Sequence, residues 1–265
     1  MGSVRAAIAG RFVLALAIGA LVIMPASAQL TSSNPGTTFA DAAQVANPIF
    51  EQYDSCTGSG VASQQFPDFG DAVLQSADDF NISGGTQVLN QVVALGTFSV
   101  AGPLGDVTIE IYDDDGAGGL PGTLLCSEVG LVSSGVGSEV DVALDGSCSL
   151  ASSTYWISVL PVMSFADFGQ WFWSSNASGF GSQFAFQDPD GLLGNPCVSW
   201  GLGIDTCGVG GTSTFPDLCF GIGAEGGGTG DGGGGVPAVG TTGAIVMLLV
   251  VMAISFFYLR RRQTA

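Results

Sequence analysis

The chain has 265 residues, 46 % of them hydrophobic, with 23 acidic residues, five basic ones and no histidine, a formal net charge of −18. The basic residues are Arg5, Arg11, Arg260, Arg261 and Arg262, so everything from Gln29 to Leu259 lacks Lys, Arg and His and carries all 23 acidic side chains. This excludes nucleic acid as a partner, because phosphate binding needs cations, and removes Ser-His-Asp, Cys-His, Schiff-base and His-ligated metal chemistry. Carboxylate catalysis and oxygen-ligated cations remain open.

Taken in chain order, the first element is an export signal, residues 1–28. Arg5 and Arg11 form a positive n-region, Phe12 to Met24 is an apolar run of 13 residues, Pro25 breaks it, and Ala26-Ser27-Ala28 is a small-x-small cleavage site. The mature chain is expected to start at Gln29. Residues 29–40 read as a polar, flexible leader, and residues 41–225 as one folded body.

The body has the periodicity of strands. Val107, Ile109 and Ile111 alternate with polar neighbours, as do Val140, Val142 and Leu144, and Tyr155, Ile157 and Val159. Further strand-like runs are 87–100, 123–132, 170–174, 183–186 and 218–222, separated by Gly- and Asp-rich turns. A short helix over Asp41 to Glu51 is the main departure. Eight to ten short strands with such turns predict an all-β fold, an antiparallel β-sandwich of jelly-roll type.

Six cysteines lie in this body: Cys56, Cys126, Cys148, Cys197, Cys207 and Cys219. An even count in an exported chain reads as three disulfides. Fifteen pairings exist; those expected are Cys126–Cys148 across neighbouring strands, Cys197–Cys207 closing a Gly-rich loop, and Cys56–Cys219 tying the ends together.

Three sets of residues are candidates for a site. Asp113, Asp114 and Asp115 at a strand end, and Asp188 with Asp190, place carboxylates on turns as a Ca²⁺ site requires, although Asp and Gly also simply form turns. The first loop departs from the alternating D-x-D-x-D-G spacing. Trp156, Trp171 and Trp173 sit on strands and either fill the core or stack on a glycan. Glu110, Glu128 and Glu139 could supply a glycosidase pair, but no local motif marks an acid or a nucleophile.

The C-terminus begins with a flexible linker, residues 226–235 (GGGTGDGGGG). The remaining segment is 236–265. Gly243 to Leu259 is 17 residues without a charge, which at ~1.5 Å per residue spans roughly 25 Å, enough for a thin hydrocarbon core. Arg260, Arg261 and Arg262 follow, and the positive-inside rule keeps them cytoplasmic. A single transmembrane helix is therefore expected here.

The Val236-Pro237 start, the short span and the arginine cluster resemble the exosortase-type sorting signals of bacteria, the PEP-CTERM and IPTL-CTERM classes. Neither a Pro-Glu-Pro nor a Pro-Thr-Leu-Ser-Glu-Trp-Gly motif is present. The resemblance implies a Gram-negative envelope or matrix protein and a sorting protease as a partner. Residues 78–173 also resemble a β-sandwich module of secreted bacterial proteins, carried by Ala77-Asp78-Asp79-Phe80, the hairpin 111–125, Thr154 to Val159 and Gly169-Gln170-Trp171; this implies a fold and an extracellular setting.

The expected function is that of an exported, envelope-anchored or sorted, non-catalytic β-sandwich module with a structural, adhesion or matrix role. The alternatives are a carbohydrate-binding module and a carboxylate-based glycan hydrolase. Expected partners are the membrane, through the C-terminal helix, a sorting protease and an extracellular glycan; Ca²⁺ is the one cofactor the residues suggest.

Overall fold

The computed structural model describes residues 44–100, 102–116, 119–209 and 216–225. The signal peptide, the leader up to residue 43, the Gly-rich linker and the C-terminal segment with Val236, Pro237 and Arg260 to Arg262 lie outside the described residues. Among the described residues sixteen strands, numbered in chain order, form three antiparallel sheets. This bears out the all-β, sandwich-like expectation. The strands are shorter and more numerous than the sequence suggested. Val107 to Tyr112 belongs to one strand as read, but the run 87–100 is broken at Leu95.

The first sheet orders β1 (Pro48–Glu51), β16 (Phe220–Ala224) and β5 (Gln87–Ala94), with β9 (Val140–Ala143) and β10 (Ser149–Leu150) also on β5. The second runs β14 (Gly201–Leu202), β13 (Ala185–Gln187), β4 (Ala72–Asn81), β11 (Thr154–Pro161), β7 (Val107–Asp114) and β8 (Pro121–Leu131), with β3 (Gln64–Phe66) beside β4. The third is built on β12 (Trp171–Asn176), which pairs with β2 (Cys56–Ala62), β6 (Gly96–Phe98) and β15 (Asp217–Leu218). The helix expected over Asp41 to Glu51 is corrected: Pro48–Glu51 pairs with β16 as a strand, because a backbone edge there outweighs a weak helical period.

Alternation decides what is buried. Val107, Ile109 and Ile111 of β7, Ile157 and Val159 of β11, and Val140 and Val142 of β9 all enter one apolar cluster, with Leu89 and Val92 of β5 and Trp171 and Trp173 of β12. The core thus lies among all three sheets. In β5 the register against β16 slips at Asn90, where Gly223 faces Gln91 and Ala224 faces Leu89. The extra residue reverses the parity of the strand. Leu89, Val92 and Ala94 therefore share the main core, while Val93 and Leu95 pack separately with Val45 and Cys219.

β8 is the outer strand of the second sheet. It exposes Leu124, Leu125 and Val129, the last 71 % accessible. Such an edge invites pairing with another chain, and lysines commonly blunt it. This body has no lysine. Instead the β7–β8 register shifts three times along the hairpin, and bulges of this kind twist an edge out of pairing geometry.

The three disulfides are Cys56–Cys219, Cys126–Cys148 and Cys197–Cys207, the pairing expected. Cys126 is on β8 and Cys148 immediately precedes β10, so this bond staples two different sheets rather than neighbouring strands. Close packing around Trp171 yields a test. A Cβ at Gly96 would stand inside the Trp171 indole, whose ring is fully buried and whose Nε1 donates to the Ser138 carbonyl at 2.8 Å. Gly96→Ala is expected to destabilise the protein by about 1–3 kcal/mol through overpacking, read from urea unfolding; an unchanged midpoint would contradict this packing.

Candidate functional site

The stacking role expected of Trp156, Trp171 and Trp173 is corrected: their exposures are 1 %, 0 % and 0 %. β12 is covered on both faces, so Trp171, Phe172 and Trp173 are all buried although they alternate. Trp173 Nε1 donates to the Cys219 carbonyl at 2.9 Å, and Trp156 Nε1 to Asp114 Oδ1 at 3.4 Å. Trp156 does face away from the main core, as read. There it packs with Ala77, Tyr112 and Ala185 beneath Leu120 and Trp200.

The aspartates on turns hold backbone. Asp188 is fully buried and accepts from Leu192 N at 2.7 Å and Leu193 N at 2.8 Å. Asp190 accepts from Val73 N at 3.0 Å, and Asp113 from Thr123 N. Asp115 N donates to the Leu120 carbonyl at 3.1 Å, closing the turn of the hairpin. Asp113, Asp188 and Asp190 thus each clamp a stretch of chain through a carboxylate oxygen. Among the described residues no group of three or more His, Cys, Asp or Glu side chains is placed to hold a metal ion. Of the glutamates, Glu128 accepts from Asp145 N at 3.0 Å, and Glu110 belongs to a separate network described below.

Two clusters were not legible in the sequence. The first gathers Asp78, Asp79 and Asp217, which are 0 %, 4 % and 1 % exposed. Asp78 Oδ2 accepts from Gln52 Nε2 and from Leu218 N, both at 2.7 Å, and Asp78 Oδ1 accepts from Asp79 N at 3.1 Å. Gln52 Oε1, beside it, is buried without a partner. Loss of hydration drives the Asp78 carboxyl well above its ordinary range, and the charge of Asp217 adds to this. Burial raises Asp217 to about 7, opposed by the Phe180 N–H and assisted by Asp79. Burial raises Asp79 to about 6, opposed by the Ser182 N–H and assisted by Asp114.

A strap over this cluster, residues 177–182, carries the chain from β12 to β13. Phe180 N donates to Asp217 and Ser182 N donates to Asp79 at 3.1 Å. A Cβ at Gly179 would strike the Asp217 carboxylate, and one at Gly181 the Asp79 carboxylate; Gly181 also has φ 75°. Glycine is therefore required for the backbone to approach both acids. Phe180 packs edge-on against Phe50, with centroids 5.4 Å apart.

The second cluster lies on the outer face of the second sheet. Register aligns Glu110 of β7 with Ser158 of β11, and Gln187 of β13 with Gln75 of β4. Tyr112 Oη donates to Glu110 Oε2 at 2.5 Å, and Gln75 Nε2 lies 2.6 Å from the same oxygen and 3.1 Å from Ser158 Oγ. Gln187 Nε2 donates to Gln75 Oε1 at 2.7 Å. Burial, together with the Glu110 hydrogen bond, raises the Tyr112 hydroxyl above its ordinary range, so it stays a donor.

Trp200 completes this face. It lies in the loop closed by Cys197–Cys207 and meets Tyr112 edge-on, with centroids 5.5 Å apart. It is half-buried. Whereas the other three tryptophans each donate their indole N–H to a protein acceptor, the Trp200 N–H donates to none among the described residues. Chemically, the face offers an aromatic ring, a free donor and a carboxylate already fixed by two neighbours. Compared with known proteins, the chain matches no protein family, no curated protein and no solved structure.

Proposed function

We propose that the protein is an exported, surface-anchored β-sandwich module of jelly-roll type with a non-catalytic structural or adhesion role. The observation that carries this reading is a body closed by three disulfides in a stretch without a single Lys, Arg or His. Disulfides of this number are compatible with an oxidising compartment, and a dense anionic charge keeps an exposed domain soluble. Sheet neighbours that are distant in sequence, such as β5 with β16 and β2 with β12, support the jelly-roll description. The aspartates that hold turns and straps support a scaffold role. The signal at residues 1–28 and the span at 243–259 supply the route and the anchor in this reading, and the arginine cluster the sorting feature.

Intact-mass measurement of the native protein tests this directly. The expected result is a start at Gln29, three disulfides and cleavage or membrane retention of the segment after Gly235. Recovery from the cytoplasm with Met1 in place and six free thiols would refute it. A second expected result follows from composition: trypsin leaves the body from Gln29 to Leu259 intact even when it is reduced and unfolded. Any tryptic cut within that stretch would contradict the absence of Lys and Arg from it.

A further inference from the structure

We propose that the outer face of the second sheet binds a neutral oligosaccharide, with Trp200 as the stacking ring and Glu110 and Gln187 as the polar contacts. This deepens the adhesion reading by naming a ligand class. The four tryptophans divide sharply. Three are sealed in the core with satisfied N–H groups. Trp200 alone is half-buried, its N–H meets no acceptor among the described residues, and a short disulfide loop limits its movement.

The carboxylate beside it is held for a ligand in the same manner. Tyr112 and Gln75 both hold Oε2 of Glu110, which fixes the group while Oε1 makes no hydrogen bond among the described residues. Tyr112 also touches the Trp200 ring, so ring and carboxylate share one support. Gln187 uses its amide N–H on Gln75, and its side-chain carbonyl oxygen accepts from no donor among the described residues. Gln75, Tyr112 and Ser158 are buried beneath and need no ligand.

The chemistry of these free groups selects the ligand. Glu110 Oε1 and the Gln187 carbonyl accept hydrogen bonds, and the Trp200 N–H donates one. A sugar hydroxyl both donates and accepts, and the C–H face of a pyranose suits an indole ring. An anionic glycan would meet 23 acidic residues and no cation. An ammonium ligand would satisfy Glu110 but offers no acceptor to the Trp200 N–H.

The test uses the full chain with its disulfides oxidised, titrated with cello-, xylo-, malto-, manno- and chitohexaose and followed by tryptophan fluorescence and calorimetry. At least one of these is expected to bind saturably and to change the emission. Trp200→Ala is expected to weaken binding about tenfold. Glu110→Gln, which keeps an acceptor for Tyr112, should weaken it by a similar factor because the charge-assisted bond is lost. If Trp200→Ala does not fold by circular dichroism, Glu110→Gln decides the matter. The proposal fails if no hexasaccharide binds, if the folded variants bind as tightly as the parent, or if tetramethylammonium displaces the sugar. Purified protein can fail this test while the export reading stands, and mass spectrometry can refute export while binding persists.

Discussion

Acidification from pH 8 to pH 5 is expected to raise the melting temperature of this protein by about 5–10 °C. Most globular proteins lose stability when their carboxylates are protonated, because those groups are paired with cations in the folded state. Here no Lys, Arg or His exists in the body to pair with. Asp78 and Asp79 of β4 and Asp217 of β15 are buried against one another, with Asp114 of β7 facing Asp79. Glu51 of β1 lies one residue from Gln52, and burial and Asp54 raise its carboxyl too.

Asp78, Asp79, Asp217 and Glu51 hold protons in the folded state that the unfolded chain has already released. Stability is therefore fully present below about pH 4, the ordinary aspartate value. It falls as pH rises through 6, where Asp79 titrates, and 7, where Asp217 titrates. Discounted for solvent screening at the strap, the loss between pH 5 and pH 8 is about 2–3 kcal/mol. Calorimetry across this range checks the slope, and a melting temperature that is flat or that rises with pH would remove the account. Asp217→Asn keeps an oxygen for the Phe180 N–H and should flatten the profile while raising stability at pH 8.

Loss of the Cys56–Cys219 bond is expected to have the largest effect of any single covalent change. It closes a loop with a sequence separation of 163, against 22 for Cys126–Cys148 and 10 for Cys197–Cys207. The chain-entropy treatment assigns about 5, 3.4 and 2.7 kcal/mol to these three loops. The ranking also has a packing basis. Cys219 is fully buried between β15 and β16, and its carbonyl accepts from Trp173 Nε1 and from Leu95 N. A Cys56→Ala, Cys219→Ala pair therefore loosens the seam where the first and third sheets meet. Cys197→Ala with Cys207→Ala should leave the fold intact at room temperature. Equal melting temperatures for the two double variants would contradict the ranking.

Much of the fold was legible because strand burial is a local pattern. Ile109 and Ile157 declared their faces by alternation, and the even cysteine count announced three disulfides, although count and spacing alone do not choose among the fifteen pairings. The tryptophans on β12 misled because alternation assumes one wet face, and β12 has none. What covers it comes from outside its own sheet and from far away in sequence: Phe220 of β16 packs edge-on against Trp173, and the Ser138 carbonyl holds the Trp171 indole. The carboxylate cluster was hidden for the same reason: Asp78 bonds to the backbone of Leu218, 140 residues on, and nothing near either residue announces the other. Trp200 did leave a trace. It is the one tryptophan inside a short Cys-to-Cys loop rather than on a strand-like run, and such a loop presents its contents outward.

The position of Cys56–Cys219 also decides how the body would respond to being pulled. A load entering near residue 44 and leaving near residue 225 runs from Cys56 to Cys219 through the sulfur bridge and bypasses everything between them. The strands enclosed by that loop, β2 to β15, stay off the load path. Some 163 residues of separation, which would extend to about 550 Å if drawn out, are withheld as slack. While the bond is oxidised, only β1 and β16, the two strands outside the bridge, can peel, so a tether built from this chain would be short and stiff; reduced, the same tether would become long and yielding.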